Sequence, residues 1–164
     1  MPITLAKAGV TRPGFPAAAR TRLAAYARAV LAREGVRRVD LGIVFASDSE
    51  LRRLNSDYRG IDRATDVLSF TYSDDGPRAH ARALEGELYL STARIAAQAR
   101  RYRHSPGAEL LRLVTHGLLH LCGHDHVKAA ERRVMRAAER AALGRFLGAS
   151  ARAAFERVAS EDGR

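Results

Sequence analysis

The sequence has one cysteine, no tryptophan, only two lysines and no long uncharged apolar run. A lone thiol, Cys122, excludes an intramolecular disulfide, and the opening MPITLAKAG lacks the apolar core of a secretory leader. The chain is therefore expected to be intracellular, untargeted and cytoplasmic. A membrane-spanning helix needs roughly 20 mostly apolar residues, and no such stretch exists. At 164 residues the chain is also too short for a multidomain machine. A single domain over 1–148 is expected, with 149–164 as a C-terminal tail, either a frayed helix or disordered.

Lysine scarcity is offset by arginine. Together the two number 28 against 18 acidic residues, a formal charge of +10, and 26 of the 28 are Arg. That balance draws polyanions such as nucleic acid or an anionic surface, and the planar guanidinium suits phosphate. A GC-rich coding bias explains most of these positions without any functional role. Of the hydrophobic residues 31 are Ala, and Leu (18) exceeds Val plus Ile (14), a composition that favours helices over strands.

Periodicity places the elements. Residues 2–7 alternate weakly and read as an edge strand. A helix from about Ala17 to Glu34 carries Leu23, Tyr26, Ala27, Val30 and Leu31 at spacings of three and four, and Gly35 ends it. Val39, Leu41, Ile43 and Phe45 occupy every second position of a strand. Ser47 or Ser49 caps a short helix that buries Leu51 and Leu54 and leads into Tyr58 and Arg59. DVLSFTY (66–72) and GELYLS (86–91) read as further strands, with the polar stretch SDDGPRAHARALE between them as a loop. A Thr92-capped helix runs to about Tyr102. Ser105 and Pro106 open the next, which continues to Gly123, and a last helix covers roughly 127–147. The expected fold is α/β (α+β): a small mixed sheet of about four strands with helices packed around it, and a metal site on a helix of the C-terminal half.

Four of the six histidines fall within HGLLHLCGHDH. His116 and His120 are about 40° apart on a helix, so their imidazoles point the same way. Gly123 can take the left-handed conformation that ends a helix and lets the chain bring His126 back toward the pair. Three converging imidazoles that leave a fourth position open are the catalytic form of zinc coordination. Neutral ligands leave the ion its full charge, which acidifies water and attracts anionic substrate. His124 competes as third ligand. It follows the turn residue and precedes Asp125, so it is placed beside the metal sphere, where a carboxylate such as Asp125 could orient a liganding ring. His80 and His104 lie in polar segments and read as solvated, and Cys122 as a small core residue. A protease of the HExxH type needs Glu after the first histidine as general base, and here that residue is Gly117.

With these residues, the sequence resembles the YbeY family of bacterial endoribonucleases, whose histidine spacing is matched by His116, His120 and His126. LNSDYRGIDRATDVLSF (54–70), GELYLS (86–91), and Met135 with Glu139 follow the family's order and spacing, so the likeness spans roughly residues 40–140. The family usually has Tyr where His124 stands and Asp where Glu87 stands. The resemblance implies one Zn2+ per chain and a cytoplasmic, single-strand-specific endoribonuclease. Its implied partners are single-stranded RNA and the rRNA of the small ribosomal subunit or 70S ribosome, in 16S rRNA 3′-end maturation and ribosome quality control, with no membrane or DNA partner. It also implies that Arg59 is catalytic, and an Arg fork near a metal can neutralise charge building on a phosphodiester. Thr65 and Asp66 are expected to fix the turn into the following strand. Two rival readings are a metallopeptidase-like hydrolase, disfavoured by Gly117, and a non-catalytic ribosome assembly factor with structural zinc, which would require a fourth protein ligand such as His124 or Cys122.

Overall fold

The structure, a computed structural model, describes residues 3–8, 17–72 and 83–144. Expectations for His80, most of the 73–85 loop, the end of the last helix and the 149–164 tail fall wholly or partly outside these residues. The elements are β1 (Ile3–Ala8), α1 (Ala17–Arg33), β2 (Arg38–Ala46), α2 (Asp48–Arg59), β3 (Val67–Thr71), β4 (Ala83–Ser91), α3 (Thr92–Tyr102), α4 (Pro106–Leu121) and α5 (Ala129–Leu143). No described helix is long and apolar enough to cross a membrane.

The four strands form one mixed sheet in the order β1-β2-β4-β3. β1 and β2 are parallel, as are β2 and β4, while β3 runs antiparallel to β4 along the edge. Alternation along β2 and β4 divides the sheet into two faces. Val39, Leu41, Ile43 and Phe45 point with Leu84, Leu88 and Leu90 into the main core, where they meet Leu31 of α1, Ile95 of α3, Val114 and Leu118 of α4, and Leu143 of α5. Ala46, Leu68, Phe70 and Tyr89 point the other way, toward Leu51 and Leu54 of α2. The expected mixed α/β fold is thus found, with α2 the one described helix on its side of the sheet.

Several boundaries differ from the sequence reading. β4 begins at Ala83, so Ala83, Leu84 and Glu85 belong to a strand, held in register by Arg38, Val39 and Asp40 of β2. The cap of α3 is Ser91, whose hydroxyl accepts the Arg94 N–H at 3.1 Å. α5 starts at Ala129 rather than 127. Elsewhere the punctuation behaves as expected: Ser47 and Ser105 cap α2 and α4, and Gly35 and Gly123 adopt φ of 85° and 90°.

Helix α4 is buried on nearly every side, and its seat on the sheet is tight. A Cβ on Gly117 would lie 2.6 Å from Leu88 Cδ2 and 3.3 Å from Val67 Cγ2. The missing side chain lets the backbone next to His116 approach β3 and β4 closely, and it fixes which arc of α4 is left for the histidines.

Candidate metal centre

His116 and His120 stand on the last two turns of α4, half-buried, and His126 comes from the exposed turn that follows. Each offers one ring nitrogen, and these atoms lie within 4.8 Å of one another. The Nε2 atoms of His116 and His120 are 3.1 Å apart, near the ~3.4 Å expected for two tetrahedral ligands of one zinc ion. Ring centroids are 4.7 Å apart for His116 and His120, 5.5 Å for His116 and His126, and 5.0 Å for His120 and His126. The chain therefore brings together the three imidazoles that the spacing singled out, a donor set able to hold a metal ion.

Each histidine is held by a different neighbour. Nδ1 of His116 donates to Glu139 Oε1 of α5 at 2.8 Å. Because a carboxylate only accepts, the His116 proton belongs on Nδ1 and the Nε2 lone pair faces its partners. His120 hydrogen-bonds the backbone of His124. Burial, reinforced by the charges of His116 and His126, pushes the His120 pKa down to about 4, so this ring is neutral at pH 7 and its lone pair is available. His126 is held through its backbone: Asp125 Oδ1 accepts the N–H groups of His126 at 2.6 Å and Val127 at 3.3 Å. These hydrogen bonds keep the Asp125 carboxyl below its usual range, and Arg132 donates to the carbonyls of His126 and Val127.

In the sequence Glu139 is marked only by the family pattern; its place beside His116, 23 residues away, emerges from the packing of α5 on α4. His124, a candidate ligand or neighbour of the metal by sequence, turns its ring to the residue that follows α1 and donates from Nε2 to Glu34 at 2.7 Å. Cys122 packs against the main core, where burial pushes its thiol pKa up to about 12. Neither joins the converging donors. His104 corrects the expectation of a solvated ring. Arg103 ends α3 in the left-handed region, folding the chain back so that the His104 side chain, 2% exposed, lies 2.6 Å from Glu109 Oε2.

Comparison with known proteins turns this geometry into kinship, because the profile described as Endoribonuclease YbeY matches residues 15–147. The chain belongs to the YbeY family. Endoribonuclease YbeY of Finegoldia magna is 42% identical over 104 residues, covering 63% of this chain and 67% of that protein. The Roseiflexus sp. (strain RS-1) protein of the same name is 46% identical over 118 residues, with 68% and 72% covered. The Chloroflexus aggregans protein is 43% identical over 126 residues, with 71% and 80% covered. Among solved structures, that of TM1509 from Thermotoga maritima superposes with a TM-score of 0.54 at 25% identity, covering 87% of this chain and 91% of that one.

Within this YbeY chain, Arg59 is the last residue of α2, exposed, and followed by Gly60 in the left-handed conformation at φ 68°. It has no ion pair among the described residues, whereas Arg52 and Arg53 are paired with Asp62, Glu50 and Asp57. The turn behind it is fastened as expected: Asp66 Oδ1 accepts from the Val67 N–H at 2.9 Å and the Thr65 hydroxyl at 3.3 Å. Glu87, the acid found where the family usually has Asp, lies on the α2 side of the sheet. There it accepts hydroxyl protons from Tyr72 at 2.6 Å and Tyr89 at 3.0 Å.

Proposed function

We propose that this protein is a zinc-dependent endoribonuclease that cuts single-stranded RNA, with ribosomal RNA as its natural substrate and Arg59 as its phosphate-binding residue. The observation that carries the reading is the convergence of three imidazoles, with no fourth protein donor among the described residues, in a chain of an endoribonuclease family. A bound metal supplies Lewis-acid polarisation of a phosphoryl oxygen and lowers the pKa of water. The chain's own residues prepare the rest. Glu139 keeps the His116 proton on Nδ1, burial keeps His120 neutral, and Asp125 with Arg132 sets the backbone that presents His126. Arg59 offers a guanidinium free of acidic partners among the described residues, able to take two phosphodiester oxygens and to stabilise charge as it builds there. The net charge of +10 favours a polyanionic substrate over a peptide.

The metallopeptidase reading loses support from Gly117, which packs on Leu88 and Val67 and leaves no room for a basic carboxylate. The structural-zinc reading loses support from His124 and Cys122, whose side chains are engaged elsewhere. Metal-loaded protein incubated with single-stranded RNA, duplex RNA and casein tests the proposal. Cleavage of the single strand only, lost in Arg59→Ala with metal content unchanged, is the expected result. Equal cleavage by wild type and His120→Ala would assign the activity to a contaminant.

A further inference from the structure

A chain of polar contacts joins the segment after Arg59 to the metal helix through the interior. Asp66 Oδ2 accepts from Gln98 Nε2 of α3 at 3.2 Å. Gln98 Oε1 accepts from Arg112 of α4 at 3.2 Å. Arg112 forks onto both oxygens of Glu109 at 2.6 and 3.1 Å, and Glu109 accepts from His104 at 2.6 Å. The Glu109 side chain is fully buried and that of Arg112 is 11% exposed. Burial pulls against the Arg112 charge, but Glu109, with Asp66 and Glu139 in reach, raises its pKa above the ordinary value.

A buried ion pair of this kind is a poor source of stability, since well-packed apolar residues of similar volume do as well or better. What it supplies is geometry, because a bidentate fork and a two-sided amide accept only one arrangement. The placement gives that geometry a target. Arg112 stands one helical turn before His116, about 6 Å along a rigid helix. At its other end the relay grips Asp66, the final residue of the turn that begins after Arg59, and the Asp66 carbonyl is itself tied to the Ser91 N–H at 2.9 Å. The start of that turn is tied to α2 by the Gly60 and Ile61 N–H groups on the Ser56 and Asn55 carbonyls and by Asn55 donating to the Arg63 carbonyl, while the Arg52 to Asp62 ion pair is exposed on both sides and therefore weak. Beyond Arg63 the tie of the Asp66 side chain to the helices is left to the relay.

We propose that Gln98 and Arg112 are positioning residues for RNA cleavage: the relay from Asp66 through Gln98, Arg112 and Glu109 to His104 fixes the Arg59 segment in register with the metal histidines. The proposal rests on the endoribonuclease reading for its catalytic consequence, but the mechanical claim stands by itself. Gln98 is the member to change, because it is half-buried and uncharged, and its loss leaves no buried charge unpaired.

The test compares full-length wild type with Gln98→Leu, Gln98→Glu, Arg59→Ala and the Arg59→Ala/Gln98→Leu double variant. Hydrogen exchange at residues 61–67, bound metal, and kcat and KM on a single-stranded RNA oligonucleotide are read for each. Gln98→Leu is expected to speed exchange at 61–67, keep its metal, and lose kcat by about 10- to 100-fold, the scale of an ångström-sized misplacement. Gln98→Glu, which can still accept from Arg112 but opposes Asp66, is expected to behave like Gln98→Leu. In the Arg59→Ala background the Leu change should cost nothing further, because a relay acting through Arg59 has nothing left to position. Unchanged exchange in Gln98→Leu, wild-type behaviour of Gln98→Glu, or losses that add to those of Arg59→Ala would overturn the proposal. Should the wild type cleave no RNA, the endoribonuclease reading falls. Exchange then decides the relay alone, with release in both Gln98 variants supporting it and wild-type protection overturning it.

Discussion

Glu139 makes one hydrogen bond to the candidate metal centre, yet it determines which nitrogen of His116 carries the proton. Glu139→Gln can present an amide donor instead of an acceptor, so Nε2 loses its reserved lone pair. Metal affinity is expected to fall about 10- to 100-fold with the fold intact, as measured by chelator competition and circular dichroism. His120 sets the acid limit. Its folded-state pKa of about 4 lies below the unfolded value near 6.5, so the folded chain binds fewer protons between them. Stability from this group is fully present above pH 6.5 and is lost as pH falls through about 4. Melting of the metal-free protein should show a drop in Tm across that window, and the drop should shrink in His120→Asn. A melting curve of that variant with the same pH slope as wild type would assign the acid sensitivity to other groups. Gly117 is a further single-residue determinant. Gly117→Ala must push Leu88 aside, and overpacking of this kind costs roughly 1–3 kcal/mol, expected as a lowered denaturant midpoint at unchanged m.

Elements were legible in the sequence where a local rule decides them. Ser105 with Pro106 announced the start of α4, and the structure shows the Ser105 hydroxyl accepting the Ala108 N–H at 3.1 Å. Ser105→Ala is expected to cost about 1 kcal/mol, seen as a Tm lower by a few degrees with metal content unchanged. The alternation of β2 and the i, i+4 histidine pair on α4 were equally local. What escaped was set by partners far along the chain. Ala83, Leu84 and Glu85 looked like loop because one Leu among polar neighbours carries no period, and their strand character comes from pairing with Arg38, Val39 and Asp40. Ser91 and Thr92 are adjacent hydroxyls with equal capping chemistry, and it is Ser91, still extended as the last residue of β4, that takes the cap. His104 and His124 sit in polar stretches and read as solvated or as ligands. Their true partners, Glu109 behind a left-handed Arg103 and Glu34 just after α1, are fixed only when helices pack. The histidine trio was thus readable from spacing, and so was Asp125 beside it, whereas Glu139 and Arg132, which come from α5, were not legible from local chemistry.

At the scale of the whole molecule, two kinds of attraction for RNA should separate by their response to salt. Contacts between arginines and phosphates release counterions, so affinity for a single strand falls with log salt at a slope of about −0.7 per neutralised phosphate. Metal capture by neutral imidazoles is a local bond and does not depend on that release. With +10 on 164 residues, the metal-free protein is therefore expected to bind a single-stranded oligonucleotide at low salt and to lose it steeply as salt rises, while cleaving none of it. Restoring the metal should return cleavage with only a small change in slope. Arg59→Ala should flatten the slope by about one phosphate contact, roughly 0.7, yet cost far more in cleavage than in binding, since its contact strengthens as charge develops on the phosphoryl oxygens. A salt titration of binding by fluorescence anisotropy, run beside single-turnover cleavage on the same oligonucleotide, reads both quantities. If Arg59→Ala weakened binding and cleavage by the same factor, Arg59 would be one more backbone contact in a basic surface, and the role of holding the reacting phosphate would pass to another residue.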